Sequence, residues 1–117
     1  MPAIKRDIVI EIGARWYSPV VLKNKDGSVY DLTGAEARMQ IREADGGLLV
    51  EFSTANGRLQ IDVATGRIER DIGATVTAAI NADKGLYDME IIPGGNPDHA
   101  WKLYRGKVKF EGEQTRG

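Results

Sequence analysis

The feature that most constrains the fold is a pair of strand-like runs separated by a loop rich in proline and glycine, within residues 85–110. In the first run, apolar side chains alternate with Asp88 and Glu90, which is the period of two that a half-buried strand shows. In the second run the apolar parity changes at Arg105-Gly106, and a glycine at such a change is typical of a β-bulge. The sequence therefore predicts a β-hairpin whose tip, 93–99, is an exposed and mobile loop.

Other alternating runs precede this hairpin at a spacing of roughly 8 to 12 residues. The cleanest covers residues 35–42, where a slip of one residue would bury four polar side chains. Asn56-Gly57, between two such runs, predicts a hairpin turn. Residues 74–82 instead place apolar side chains at helical spacing and predict a short crossover helix, with Thr75 as a candidate cap. The pattern favours an all-β antiparallel sandwich of about seven to eight strands.

Length and composition limit the domain count and the kinds of partner. The 117 residues predict a single domain over 1–117, with a polar tail at about 111–117. The sequence has no cysteine, which excludes disulfides and thiolate metal sites. A net charge of −1 with both signs interspersed favours neither nucleic acid nor a membrane as a partner. Because no signal peptide or long apolar segment is evident, we expect a soluble product made in a cytoplasm.

Few residues in this chain suggest catalysis. Its one histidine, His99, follows Asp98 in the loop, and a carboxylate can orient a histidine base, but no nucleophile lies near it in sequence. One histidine without cysteine also falls short of a zinc ligand set. Gly94-Gly95 opens no helix that could bind a phosphate. We therefore expect no enzymatic activity, no metal site and no cofactor.

Basic residues cluster on the second arm of the hairpin, namely Lys102, Arg105, Lys107 and Lys109. A nucleic-acid interface would need a wider basic surface with exposed aromatic side chains. Lysines also protect an exposed edge strand against unwanted pairing. We therefore predict that this strand lies at the edge of a sheet.

Two sets of motifs resemble a family of small structural proteins from tailed phages and prophages. The first set, within 26–42, has Asp and Gly in a turn, then DLTG and ARMQ. The second set combines TGRI at 65–68, a short Thr/Ala helix, YDME at 87–90, RGKV at 105–108 and a terminal Thr-Arg at 115–116. The family includes the immunoglobulin-like N-terminal domain of phage baseplate upper proteins. The resemblance therefore implies an immunoglobulin-like sandwich without catalytic residues.

The resemblance implies a non-enzymatic virion structural protein of the tail or baseplate, assembled in the cytoplasm of the bacterial host. We expect a homo-oligomer that docks onto other phage structural proteins. Because no fibre or receptor-binding region follows within these 117 residues, we expect a small component packed between larger parts. Two alternatives stay open: a capsid decoration protein, and a carbohydrate-binding module using exposed Trp101 or Trp16.

The candidate partner-binding surfaces are the first strand at 8–12, the last strand at 101–110 and the loop at 93–99. The first strand is a candidate because a sheet edge that a monomer exposes can pair with another chain. The candidate partner-binding residues are Pro93, Asn96, Asp98, His99, Trp101, Tyr104 and Arg105.

Overall fold

The computed structural model describes residues 3–112 as two β-sheets and one short α-helix. The strands in chain order are β1 (Ile4–Lys5), β2 (Ile8–Glu11), β3 (Trp16–Val21), β4 (Glu36–Arg42), β5 (Leu48–Ser53), β6 (Leu59–Asp62), β7 (Arg67–Ile72), β8 (Lys84–Ile92) and β9 (Trp101–Glu111). The helix is α1 (Ala74–Ala78). This arrangement confirms an all-β, sandwich-like fold. The predicted polar tail lies mostly in 113–117, outside the described residues.

The strands divide between a large sheet and a small sheet. The large sheet has the order β1-β9-β8-β4-β5, with β2 also paired to β9, and the small sheet has the order β3-β7-β6. Neighbours are antiparallel except that β1 and β2 run parallel to β9. Because β9 is paired on both sides, the prediction that the basic last strand lies at a sheet edge is wrong. The edges of the large sheet are β5 and the β1–β2 segment.

The hydrophobic core lies between the two sheets. The predicted inward faces are confirmed, since Met39 and Ile41 of β4 and Met89 and Ile91 of β8 are fully buried. On the small sheet, Ile68 and other inward residues of β6 and β7 complete the core. Burying one such side chain stabilises the fold by about 1.5–3 kcal/mol. A shift of one residue would turn the whole apolar set of a strand to the solvent, so this energy determines which face of each strand points inward.

The β-bulge of the hairpin lies two residues before its predicted position. The β8–β9 register pairs Met89 with Tyr104 but Glu90 with Lys102, which leaves Leu103 as the extra residue. The predicted bulge at Arg105-Gly106 is therefore wrong. A different contact explains the glycine at this position. The backbone of Arg6 passes so close to Gly106 that a Cβ there would lie 2.7 Å from the Arg6 carbonyl carbon.

The predicted hairpin at Asn56-Gly57 is a crossover between sheets. The turn itself forms: the Asn56 Oδ1 accepts from the backbone N–H of Ser53 and of Arg58, both at 3.0 Å. However, β5 belongs to the large sheet and β6 to the small sheet, so the two strands do not pair. The hydrogen bonds of the Asn56 side chain stabilise the local reversal, and they do not determine which sheet the next strand joins.

The short crossover helix is confirmed, although its cap differs from the prediction. Helix α1 has five residues, connects β7 of the small sheet to β8 of the large sheet, and begins after Gly73 rather than Thr75. Its buried Thr77 accepts from the Gly13 N–H at 3.0 Å and lies 2.8 Å from the Ala14 carbonyl, to which it can donate. These bonds attach the helix to the turn between β2 and β3. No helix within residues 3–112 is long and apolar enough to cross a membrane.

Candidate interaction surfaces

The loop between β8 and β9 consists of two consecutive 3-10 turns, Pro93–Gly95 and Pro97–His99. The Asn96 Oδ1 accepts from the Asp98 N–H at 3.0 Å and so caps the second turn. Asn96, Asp98 and His99 are exposed, whereas Pro93 is half-buried. The predicted exposure of most of this loop is confirmed, and the two turns give its polar side chains a defined backbone.

The aromatic candidates on β9 turn toward the inside of the sandwich. Trp101 packs edge-on against Tyr30, with ring centroids 5.8 Å apart. Tyr104 lies under the guanidinium groups of Arg6 and Arg70, 5.7 and 5.8 Å from its ring centroid. Both side chains are half-buried, and neither projects from the outer face of the large sheet.

Arg105 has the opposite orientation and lies on the outer face of the large sheet, where it pairs in register with Asp88. The seven candidate residues therefore occupy three places: the loop, the inner side of β9 and the outer face. The structure brings Pro93, Asn96, Asp98 and His99 together in the loop and separates them from Arg105.

A buried cation, Arg70 of β7, lies between the sheets and was not anticipated from the sequence. The residue is 5% exposed, its Nε donates to the Ser18 carbonyl at 3.0 Å, and its Nη2 donates to the Ser18 Oγ at 2.8 Å. Its guanidinium lies 5.1 Å from the ring centroid of Trp16. Burial lowers the pKa of Arg70, and no carboxylate among residues 3–112 forms an ion pair with it.

Tyr87 lies near this buried cation and contacts the N-terminal edge of the large sheet. The Tyr87 hydroxyl donates a hydrogen bond to the Arg6 carbonyl at 2.5 Å. Burial raises the pKa of Tyr87, and the nearby Arg70 charge partly opposes that rise. The hydroxyl of Tyr87 therefore holds the backbone between β1 and β2 against the sandwich.

Ion pairs cover part of the outer face of the large sheet. Arg38 binds Glu90 at 2.7 Å, and Lys102 binds Asp88 at 3.0 Å and approaches Glu90 at 3.8 Å. The two cations leave Glu90 only 9% exposed although it points outward. Lys102 is therefore engaged within the sheet, as is Lys109, which binds Glu111 at 3.0 Å. Arg105 and Lys107 form no ion pair with a carboxylate among residues 3–112.

The segment β1–β2 leaves one edge of the large sheet open. Arg6 and Ile12 donate their N–H groups to β9, at 2.8 and 2.6 Å. Donors alternate in direction along a strand, so the N–H groups of Val9 and Glu11 point away from β9. Ile4 and Val9 are 47% and 53% exposed along this edge. The edge therefore presents both unpaired backbone groups and apolar side chains.

The described residues offer no metal-binding cluster. No three His, Cys, Asp or Glu side chains among residues 3–112 are placed to hold a metal ion. His99 and Asp98 are both exposed at the loop.

No model of a known protein family matches this chain, and no curated protein matches it in sequence.

Proposed function

We propose that this protein is a non-enzymatic structural subunit of a phage or prophage particle, a component of its tail or baseplate. It associates with copies of itself and docks onto neighbouring virion proteins. The motif resemblance at 26–42 and across 65–116 supports the virion assignment, and the all-β sandwich is compatible with it. The open edge of the large sheet is the observation that carries the assembly function.

We further propose that the sandwich is immunoglobulin-like, and the strand order supports this. An immunoglobulin domain places strands B, E and D in one sheet and C, F and G in the other. Equating β3, β7 and β6 with B, E and D gives the order of the small sheet. Equating β4, β8 and β9 with C, F and G gives the centre of the large sheet, with β5 as an added C′ strand.

The open edge carries the assembly function because an unpaired strand is a template for another strand. A row of free N–H and C=O groups can extend the sheet into a neighbouring molecule. The β-branched side chains Ile4 and Val9 would lose exposed apolar surface in the same contact. Repetition of one such contact builds closed symmetric assemblies from identical subunits.

Sedimentation velocity over a wide range of protein concentration tests the proposal. We expect the wild-type protein to form a discrete oligomer. The variant Val9→Pro removes an N–H that points away from β9 and leaves the bonds to β9 intact, since proline is tolerated at such edge positions. One hydrogen bond lost from each of two subunits should weaken self-association by roughly tenfold or more.

The matched control is Val9→Thr, which keeps the N–H group and the branched side chain and should assemble like the wild-type protein. A wild-type protein that stays monomeric at every concentration would contradict the assembly function. Equal assembly of Val9→Pro and wild type would contradict the use of this edge. Antibody labelling of purified phage particles tests the virion location separately.

A further inference from the structure

A shallow groove of about 460 Å³ crosses the outer face of the large sheet over β1, β9 and β8. Its basic lining residues are Lys5, Lys102, Arg105 and Lys107. The strand register explains this concentration of charge, because Lys5 lies beside Arg105 on neighbouring parallel strands while Lys107 follows two residues later on the same face. Leu86, 48% exposed, lies opposite Lys107 at the side of the groove.

Three of these cations are available to a ligand. Lys102 is engaged at 3.0 Å by Asp88, the one carboxylate among the described residues that line the groove. Lys5, Arg105 and Lys107 form no ion pair with any carboxylate among residues 3–112. The whole chain carries a net charge of −1, so this positive charge is a local feature of one face and not a property of the composition.

The groove fits an acidic polypeptide better than a nucleic acid. Grooves that bind single-stranded nucleic acid combine basic residues with exposed rings on which bases stack. Within residues 3–112 the large sheet has five aromatic side chains, and all of them belong to the inward-facing set of their strands: Phe52, Tyr87, Trp101, Tyr104 and Phe110. The apolar neighbour of the cations is instead Leu86, which suits a peptide that alternates carboxylates with apolar side chains.

A second copy of this face is a poor occupant. Two grooves brought face to face would place Lys5, Arg105 and Lys107 against the same unpaired cations of the other copy, and these like charges repel each other. An acidic segment of a different protein instead gains from every free cation. Charge complementarity therefore selects a partner with clustered Asp and Glu residues.

We propose that this groove binds an extended segment rich in Asp and Glu from a neighbouring protein. This inference rests on the proposed function and names the chemistry of one docking partner. The free edge at β1–β2 would join copies of the chain, whereas the groove on the outer face holds the acidic segment. Because the groove residues and Val9 are separate positions, the two contacts can be disrupted independently.

The test uses a fluorescein-labelled synthetic peptide in which Asp and Glu alternate with Leu, titrated with the full chain and followed by fluorescence anisotropy. We expect binding that weakens as salt rises, because exposed charges are screened. The double variant Arg105→Gln/Lys107→Gln should bind about tenfold more weakly, since two charge-assisted contacts are lost. The matched control Lys23→Gln/Lys25→Gln removes the same charge from a loop outside the groove and should bind like the wild type.

Five outcomes are informative. Loss of binding in the groove variant but not in the control supports the proposal. The proposal is also supported if the wild type does not bind a peptide that has Asn and Gln in place of Asp and Glu. Equal binding by both variants, or no binding by the wild type, overturns it. Binding of a short DNA duplex that competes at the groove would overturn the assignment to an acidic protein.

Sedimentation of the same samples separates this inference from the proposed function. If the groove variant loses the peptide but still assembles, the groove and the edge act independently, as proposed. If the wild type binds the peptide yet never assembles, the assembly function fails and the groove stands. If it assembles without binding the peptide, the groove proposal fails and the assembly function stands.

Discussion

The substitution Gly106→Ala should detach the N-terminal segment from the large sheet. A Cβ at this position would overlap the carbonyl oxygen of Arg6 and lie 2.9 Å from the Oδ1 of Asp7. The obstruction is largely backbone, so a change of side-chain rotamer cannot relieve it. We expect the backbone between β1 and β2 to move away from β9.

The cost follows from the hydrogen bonds held at that point. Arg6 donates to the Arg105 carbonyl at 2.8 Å, the Tyr87 hydroxyl donates to the Arg6 carbonyl, and the Asp7 Oδ1 accepts from the Lys107 N–H at 2.9 Å. At a net value of about 1 kcal/mol each, the three bonds contribute about 3 kcal/mol. Alanine restrains the unfolded chain more than glycine does, and this effect offsets about 0.5–1 kcal/mol of the lost stability. The free energy of unfolding should therefore fall by about 2 kcal/mol.

Urea unfolding followed by tryptophan fluorescence measures this change through Trp16 and Trp101. The control is Gly47→Ala, where a Cβ would meet only side-chain atoms of Asp45 and Glu43 at 3.3 and 3.4 Å, and where the backbone φ is not in the left-handed region. We expect the control to stay within about 0.5 kcal/mol of the wild type. A Gly106→Ala protein as stable as the control would refute the reasoning.

A double-mutant cycle identifies the bond that carries the effect. Tyr87→Phe alone removes the hydroxyl that contacts Arg6 and should cost about 1–2 kcal/mol. Combined with Gly106→Ala, it should cost less than the sum of the two single changes by at least about 0.5 kcal/mol, because both break the same contact. Strict additivity would show that Gly106 and Tyr87 act separately.

Two further predictions concern the buried groups between the sheets. Arg70→Met should change the free energy of unfolding by no more than about 1 kcal/mol, because an apolar side chain of similar length still packs beside Trp16. Arg70→Ala removes that packing and should lower the free energy of unfolding by about 3 kcal/mol. Equal losses for the two variants in urea unfolding would contradict a packing role for Arg70. For Tyr87, the raised pKa means that the folded state keeps the phenolic proton at a pH where the unfolded chain has released it. Stability should therefore be unaffected by this group below about pH 10 and should fall as pH rises from there through the folded-state pKa, and urea unfolding of Tyr87→Phe should lack that part of the fall.

Local patterns in the sequence predicted which residues face the core but not which strands become neighbours. Met39 and Met89 were placed inward correctly because a strand has a fixed period of two and burial rewards one register. The Asn56-Gly57 turn formed as expected, yet it joins two sheets. The sheet that a strand joins is set by long-range pairing, which a turn of a few residues does not encode.

The parallel pairing of β1 and β2 with β9 escaped the sequence analysis for the same reason. About 100 residues separate Ile8 from its partner Val108, and no local signal links them. This pairing also explains why two predictions were wrong. It places β9 inside the sheet and not at its edge, and the glycine at 106 is required by the close approach of the Arg6 backbone and not by a β-bulge.

The candidate surfaces were predictable only in part. The exposed loop at 93–99 followed from its proline and glycine content. Arg70 had a visible signal, because it interrupts the inward apolar positions Ile68 and Ile72 of one strand. The groove had a weaker signal, because the basic residues of β9 are evident in the sequence but their position beside Lys5 depends on the distant pairing of β1 with β9.

The parallel pairing also determines how the molecule bears mechanical load. Ile4 lies beside Tyr104 and Glu11 beside Glu111, so the start of β1 and the end of β9 lie at opposite ends of the same ladder. Tension applied between these two points shears the ladder and loads its evenly spaced hydrogen bonds together, whereas tension on the two ends of a hairpin opens bonds one after another. The fold is therefore expected to resist extension along the large sheet far better than peeling across it.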